Sequence, residues 1–157
     1  DKDTSMLSWT EMLSKAPSDS VVICQPNDDT IAHMGELSAE TLKYKGVRGY
    51  IVDGGCRDVD FILNLDFPVF CKYFTPSDVV CRWKITSLGE PIKIGDLIIK
   101  SGDYVLGDID GVVIIPQEIV QEVIKETEEY INTESQLRKD ILSGVDPKEA
   151  YLKYRVF

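Results

Sequence analysis

A strand, a glycine turn and the start of a helix follow one another in a single stretch, GVRGYIVDGGCRD, residues 46–58. Residues 49–53 are a short apolar run beside glycine, and such a run predicts a buried strand. The two glycines that follow end this strand, because glycine permits sharp turns and lets a ligand approach the backbone closely. Loops at the carboxyl ends of strands are common ligand sites, and this loop carries Arg57 and Asp58. The stretch therefore predicts a strand of the fold and a candidate site at its end.

Strands and helices alternate on both sides of this stretch. The helices and further strands predicted there cover residues 6–15, 20–25, 35–46, 59–65 and 67–70. Glycine-punctuated apolar runs from 84 to 116 predict an antiparallel meander, and helical spacing of apolar residues beyond 116 predicts C-terminal helices. The sequence thus predicts the α/β class, with a mixed sheet and C-terminal helices, in a single domain over residues 1–157.

The composition argues against several classes of partner and site. The formal net charge is −10. A protein that binds nucleic acids or anionic membrane surfaces needs clustered Lys and Arg. No apolar run reaches the roughly 18 residues of a membrane span, and the chain starts without a signal-peptide pattern. The four cysteines lack the spacing of a zinc site, and their apolar neighbours predict buried thiols in a reducing compartment. We therefore expect a cytoplasmic protein with no membrane partner and no direct nucleic-acid partner.

Arg57 and Asp58 are the residues best suited to carry chemistry. The planar guanidinium of Arg57 can hold a carboxylate through two parallel hydrogen bonds. Asp58 offers hard oxygen ligands of the kind that Mg²⁺ and Mn²⁺ prefer. The alternative is a surface Arg–Asp pair with a helix N-cap, which would contribute only about 0–1 kcal/mol. On these two residues alone, that alternative is favoured.

A second candidate is the helix start at Gly35-Glu36-Leu37-Ser38. The first N–H groups of a helix have no internal partner and lie at the positive end of its dipole, so they can hold an anion. Most helix N-termini bind no ligand. On these residues alone, a helix start without a bound anion is therefore the favoured interpretation. His33, the only histidine, is a candidate base, although a lone histidine is more often structural.

Taken together, these residues and two later blocks resemble the RraA-like family. The matching blocks are, in chain order, GELS at 35–38, GVRGYIVDGGCRD at 46–58, FPVF at 67–70 and GDIDGVVIIP at 107–116. The family includes the 4-hydroxy-4-methyl-2-oxoglutarate aldolases, which also decarboxylate oxaloacetate, and the regulator of ribonuclease activity A. The resemblance implies a swivelling β/β/α-type domain, usually in a ring-shaped homotrimer, and it implies that this chain lacks most of the family's N-terminal region.

The resemblance also implies a role for each matching residue. The residues whose backbone amides would bind a small 2-oxo acid are Gly35, Glu36, Leu37 and Ser38. Arg57 would bind the same substrate and act in catalysis, and Asp58 would hold a divalent cation, Mg²⁺ or Mn²⁺, with waters completing its shell. The implied activity is a metal-dependent lyase reaction that cleaves or decarboxylates 2-oxo acids to pyruvate.

One position departs from the aldolase pattern. In aldolase-type members, two residues follow the Arg-Asp pair and the next residue is Glu or Asp. This chain has Phe61 at that position. Asp60 is acidic but lies one residue early, about 100° away around a helix. Regulator-type members also lack this acid. Two further hypotheses therefore stay open, namely a non-catalytic regulator that binds and inhibits a ribonuclease or another protein partner, and a structural domain without a ligand.

Overall fold

Strands and helices alternate in the first part of the chain, and two helices end it. The structure is a computed structural model that describes residues 1–157. The helices are α1 (Lys2–Lys15), α2 (Glu36–Tyr44), α3 (Val59–Asn64), α4 (Val120–Leu142) and α5 (Pro147–Tyr154), with a 3₁₀ turn at Gln117–Ile119. The strands are β1 (Val21–Cys24), β2 (Gly49–Val52), β3 (Gly55–Cys56), β4 (Val69–Phe70), β5 (Tyr73–Phe74), β6 (Ile92–Ile94), β7 (Leu97–Ile99), β8 (Tyr104–Asp108) and β9 (Gly111–Ile115).

β2 is the middle strand of a three-stranded parallel sheet with the order β1–β2–β4. Tyr50 of β2 lies opposite Val22 of β1, and Tyr50 and Val52 are both buried. Alternate residues of a strand point to the same face, so Tyr50 and Val52 bury one face of β2, and Ile51 on the other face is half-buried. The strand predicted over residues 49–53 is therefore confirmed, and it fixes the origin of the loop that follows.

A cluster of apolar side chains from helices α1, α2 and α3, strands β2 and β3 and the segments between them forms the core of the first part. Its members are Trp9, Met12, Leu13, Met34, Ala39, Leu42, Val47, Tyr50, Val52, Cys56, Ile62 and Phe67. Complete burial of a large apolar side chain contributes about 1.5–3 kcal/mol. Because Met34 and Cys56 belong to this cluster, packing fixes the two segments that carry the candidate site.

The remaining strands form three small pairs. In the parallel pair β3–β5, Gly55 lies opposite Tyr73 and Cys56 opposite Phe74. β6 and β7 pair antiparallel, and β8 pairs with β9. The predicted α/β class is confirmed, with the parallel and antiparallel pairings in separate sheets. The strands of the region predicted as a meander begin only at Ile92.

The chain divides into two compact units, residues 1–114 and residues 115–157. In the second unit, α5 begins at Pro147, and Asp146 accepts hydrogen bonds from the backbone N–H groups of Lys148 and Glu149. None of the helices combines the length and the apolar character that a membrane-spanning helix requires. The single domain expected over residues 1–157 stays a prediction.

The cysteines are all free and differ in exposure. Cys56 is buried, Cys24 and Cys71 are half-buried, and Cys81 is exposed. The prediction of a buried thiol is therefore wrong for Cys81. Its apolar neighbour Val80 suggested burial, but Cys81 lies in the irregular segment between β5 and β6.

Candidate functional site

Two chain segments run side by side and bring the predicted site residues together. The His33 N–H donates to the Gly55 carbonyl at 2.8 Å, and the Arg57 N–H donates to the Met34 carbonyl at 2.9 Å. Ala32 forms an isolated parallel bridge with Gly55. Backbone hydrogen bonds therefore hold the start of α2 beside the loop that follows β3.

The Asp58 carboxylate lies at the N-terminus of α2. Its Oδ2 accepts a hydrogen bond from the Glu36 N–H at 2.9 Å. Gly35, the N-cap residue of α2, has no side chain for this purpose. Asp58 has φ +58°, a left-handed conformation that Asp and Asn adopt more readily than most residues. Its side chain makes no capping hydrogen bond to α3, so the local N-cap considered from the sequence is replaced by a cap on α2.

Arg57 lies between two carboxylates. Its Nη1 is 2.6 Å from Asp78 Oδ2, and its Nε is 3.5 Å from Asp58 Oδ2. The Arg57–Asp58 pair considered from the sequence is therefore present, but its contact is longer than that of Arg57 with Asp78. The Nη2 group makes no hydrogen bond within the chain, and the side chain is 39% exposed. Part of the guanidinium fork thus remains available to an anion.

Asp78 is a site residue that sequence reasoning missed. It follows β5, and the parallel partner of β5 ends immediately before Arg57. Parallel strands end at the same edge of a sheet, so the pairing of β5 with β3 brings Asp78 to Arg57, but the two-residue strands leave no signal for it in the sequence. Asp78 Oδ1 accepts a hydrogen bond from the Val80 N–H at 2.8 Å. This bond and then the Arg57 guanidinium hold the pKa of Asp78 below its ordinary value.

The other residues of the predicted substrate loop form the first turn of α2. The N–H groups of Leu37 and Ser38 make no hydrogen bond within the chain, as is usual at a helix start. The Leu37 side chain is exposed, whereas Ser38 Oγ accepts a hydrogen bond from Trp9 Nε1 at 2.8 Å. The turn therefore offers backbone donors beside Arg57 and Asp58, while the Ser38 side chain supports the packing of α1.

The first turn of α3 carries the position at which the aldolase pattern has an acid. Phe61 is 40% exposed there. The neighbouring Asp60 side chain makes no hydrogen bond to Arg57 or Asp58. The ion pairs of Arg57 are with Asp58 and Asp78, and neither partner comes from α3.

The donor set fits a hydrated Mg²⁺ or Mn²⁺ ion. No group of three or more His, Cys, Asp or Glu side chains is placed to hold a metal ion, and a structural zinc site would need such a group. Asp58 Oδ1 makes no hydrogen bond, and the side chain is 38% exposed. Mg²⁺ usually keeps several waters and binds through one or two carboxylates. Asp58 can hold such an ion, because its contact with α2 fixes the carboxylate and leaves one oxygen available.

Comparison with known proteins identifies the family. A model of the RraA-like family, described as Aldolase/RraA, matches residues 2–114. The chain belongs to the RraA-like family. An uncharacterized protein of Methanocaldococcus jannaschii is 35% identical over 124 residues, which cover 73% of this chain and 55% of the relative. A protein of Halalkalibacterium halodurans named "putative 4-hydroxy-4-methyl-2-oxoglutarate aldolase" is 31% identical over 145 residues, which cover 90% of this chain and 67% of the relative. This RraA-like chain thus spans between about half and two thirds of the length of these relatives.

Solved structures share the fold of this RraA-like chain. A crystal structure described as showing novel cellulases from gut-associated microbes is 40% identical, has a TM-score of 0.81, and matches 87% of this chain and 62% of that one. RraAS2 of Streptomyces coelicolor, described as an unusual member of the RNase ES inhibitor RraA protein family, has a TM-score of 0.78 at 24% identity, over 87% and 70% of the two chains. The mixed α/β fold with C-terminal helices and the RraA-like resemblance are both confirmed.

His33 is fully buried behind the site. Its ring meets Trp83 edge-on with 5.1 Å between centroids, and neither ring nitrogen has a hydrogen-bond partner. The nearest carboxylate oxygen, Asp28 Oδ1, is 3.8 Å from Nε2. Burial lowers the pKa of His33, and the opposing effect of Asp28 is smaller. This environment is that of a structural histidine.

Acidification should destabilise the fold through His33. Above the ordinary histidine pKa of 6.5, His33 is neutral in both the folded and the unfolded chain. Below it, the unfolded chain binds a proton that the folded chain does not, so the free energy of unfolding falls by up to about 1.4 kcal/mol per pH unit. Urea denaturation at pH 7.5, 6.5 and 5.5 would measure this, and His33→Phe should show a flatter dependence. The same slope in both proteins would contradict the assignment, since the chain has no other histidine.

Proposed function

We propose that this RraA-like chain is a divalent-metal-dependent lyase that cleaves or decarboxylates a small 2-oxo acid to pyruvate. The observation that carries the proposal is the meeting of Asp58, Arg57 and the first turn of α2 in one place. These groups provide a hard oxygen ligand, a guanidinium for a carboxylate and backbone N–H donors for a further anionic oxygen. Membership of the family and the aldolase name of the H. halodurans relative support the same activity.

The charges around Arg57 give a physical reason for metal dependence. One guanidinium lies beside two carboxylates, those of Asp58 and Asp78, which leaves one net negative charge. Oxaloacetate is a dianion at neutral pH, so the protein groups alone would repel it. A divalent cation at Asp58 would reverse the sign of the local charge and favour binding.

Each group of the chain has a distinct role in this proposal. Asp58 would hold the cation, which would supply Lewis-acid polarisation of the 2-oxo group. Arg57 pairs with a substrate carboxylate and neutralises the charge that develops as the carbon–carbon bond breaks. The N–H groups of Leu37 and Ser38 orient an anionic oxygen at the positive end of the α2 dipole. Oxaloacetate is the first substrate to test, because its decarboxylation needs no base for a C4 hydroxyl, whereas aldol cleavage does.

A second candidate function is a non-catalytic regulator that binds and inhibits a ribonuclease or another protein partner. Phe61 favours it, because the acid of the aldolase pattern is missing at this position. The net charge of −10 suits a basic partner. Glycoside hydrolysis, which the cellulase name of a similar structure suggests, has less support. It requires a carboxylic acid with a raised pKa, whereas the pKa of Asp78 is lowered.

Pyruvate release distinguishes the lyase from the regulator. We expect release from oxaloacetate with Mg²⁺ or Mn²⁺, above the rate of the metal alone, and a fall of at least about a hundredfold with EDTA. Arg57→Ala should lose this activity. Arg48→Ala is the matched control, because Arg48 is exposed and has its own partner, Asp19, at 2.6 Å.

Two outcomes would contradict the lyase. They are a rate that does not depend on metal, and equal rates in Arg57→Ala and Arg48→Ala. 4-Hydroxy-4-methyl-2-oxoglutarate is measured in parallel. If only oxaloacetate reacts, Phe61→Glu should be tested for gain of aldol cleavage, because it restores the acid of the aldolase pattern.

The assembly also stays a prediction. The resemblance implies a ring-shaped homotrimer, and multi-angle light scattering at several protein concentrations would test it. A monomer at every concentration would contradict this expectation. It would leave the contacts of Arg57 with Asp58 and Asp78 unaffected, since all three residues lie in one chain.

A further inference from the structure

We propose that Asp78 is a positioning residue, which holds the Arg57 guanidinium in the orientation that receives a substrate carboxylate. The identity of the substrate rests on the proposed function, whereas the contact itself does not. Arg57 Nη1 donates to Asp78 Oδ2 at 2.6 Å, which is short even for a charge-assisted hydrogen bond. The contact of Arg57 Nε with Asp58 is 3.5 Å, too long for a good hydrogen bond. Asp78 is therefore the partner that fixes the plane of the guanidinium.

The segment that carries Asp78 is anchored to both segments of the site. The Thr75 N–H donates to the Cys56 carbonyl at 3.1 Å, immediately before Arg57. The Ala32 N–H donates to the Ser77 carbonyl at 2.9 Å, in the segment that leads into α2. The Asp78 carboxylate is thus tied by backbone hydrogen bonds to the elements that position Arg57 and Asp58.

The local turn fixes the direction of the Asp78 carboxylate as well. Its Oδ1 accepts from the Val80 N–H at 2.8 Å, so Oδ2 alone is directed to Arg57. An arginine side chain has many rotamers, and holding it in one of them before binding reduces the entropy lost on binding. Asp78 engages one Nη1 donor and leaves Nη2 without a partner, so the end of the guanidinium can still take a carboxylate through two hydrogen bonds.

A simple surface ion pair is the competing interpretation, and the chain contains a matched example of one. Arg48 Nη2 lies 2.6 Å from Asp19 Oδ1, the same separation as between Arg57 and Asp78. Both of these side chains are more than 70% exposed, whereas those of Arg57 and Asp78 are 39% and 43% exposed. Ion pairs between solvent-exposed side chains restrict the conformations of those side chains only weakly. The Arg48–Asp19 pair therefore controls for the loss of an ion pair as such.

The test compares Asp78→Asn with Asp19→Asn. The amide side chain of Asp78→Asn keeps an oxygen that can accept from the Val80 N–H but loses the charge that faces Arg57. The first readout is the heteronuclear NOE of the Arg57 Nε–H signal in ¹H–¹⁵N NMR spectra, assigned with Arg57→Lys. The second is the affinity for oxalate with Mg²⁺, measured by isothermal titration calorimetry. Neither readout requires turnover.

We expect a lower NOE for Arg57 in Asp78→Asn, and oxalate bound about tenfold to a hundredfold more weakly, as for other residues that orient a binding group. Asp19→Asn should match the wild type in both readouts. In turnover, KM should rise more than kcat falls. The proposal is overturned if the Arg57 NOE in Asp78→Asn equals that of the wild type. If the wild type binds oxalate, equal oxalate affinity in Asp78→Asn overturns the proposal as well.

Failure of the proposed function would give a different result. A wild type that neither binds oxalate nor releases pyruvate would refute the 2-oxo acid site, and the NOE of Arg57 would then decide on Asp78 alone. If Asp78→Asn does not fold, Asp78→Ser takes its place. Serine can accept from the Val80 N–H in a similar turn but is too short to reach Arg57.

Discussion

Asp58→Asn should lower the metal-dependent release of pyruvate from oxaloacetate by at least about a hundredfold, since Lewis-acid catalysis contributes several kcal/mol. The variant should nevertheless fold normally. Asn adopts the left-handed conformation that Asp58 has, with φ +58°. Its side-chain oxygen can also accept the hydrogen bond from the Glu36 N–H, so the N-terminus of α2 stays capped.

Asp58→Ala separates the two roles of this residue. Alanine removes the cap, which costs about 1 kcal/mol, and it disfavours a left-handed backbone by about 1–2 kcal/mol. We therefore expect Asp58→Ala to unfold at lower urea concentration than Asp58→Asn, while both lose activity. The stability difference would show that the carboxylate also supports α2, as its 2.9 Å hydrogen bond indicates.

Asp60→Asn is the matched control for the metal role. Asp60 is exposed, lies two residues from Asp58, and its side chain has no hydrogen-bond partner. Mn²⁺ binding, followed by electron paramagnetic resonance, should weaken in Asp58→Asn and remain unchanged in Asp60→Asn. Equal Mn²⁺ affinity and equal rates in the two variants would show that Asp58 does not hold the cation.

Local signals in the sequence were sufficient to predict the elements that frame the site. The apolar run at 49–53 and the glycines around it specify β2 and its end. The helix start at Gly35 follows from the apolar spacing of α2, and its first turn lies where the motif suggested. The pairing of this turn with Arg57 and Asp58 could be inferred only from the family resemblance, because the turn and the Arg-Asp pair are separated by some twenty residues in the chain.

The contacts that complete the site could not be read from the sequence. β3 and β5 are two residues long each, too short to give a periodic pattern, yet their parallel pairing places Asp78 beside Arg57. The cap of Asp58 on α2 also depends on tertiary structure, because the local pattern predicts a cap on α3 instead. Such interactions between short segments are set by packing of the core, and no propensity of the individual residues specifies them.

Gly35→Ala should reduce the metal-dependent release of pyruvate from oxaloacetate by about a hundredfold. A displacement of about 1 Å in an active site has an effect of this size. Gly35 has φ −149°, so alanine fits its backbone conformation without strain. The effect comes from the methyl group. An added Cβ would lie 2.8 Å from Asp58 Oδ2 and 2.9 Å from Arg57 Nε, and both distances are shorter than normal contacts.

The stability of Gly35→Ala should change much less than its activity. Overpacking a rigid core costs about 1–3 kcal/mol, but the side chains of Arg57 and Asp58 are partly exposed and can move away. That movement breaks the contact of Asp58 with the Glu36 N–H and turns the guanidinium away from Asp78. Leu37→Ala, in the same turn with an exposed side chain, is the control and should retain activity. An active Gly35→Ala enzyme would mean that the reaction does not depend on the close approach of α2 to Arg57 and Asp58, and the site proposed here would have to be abandoned.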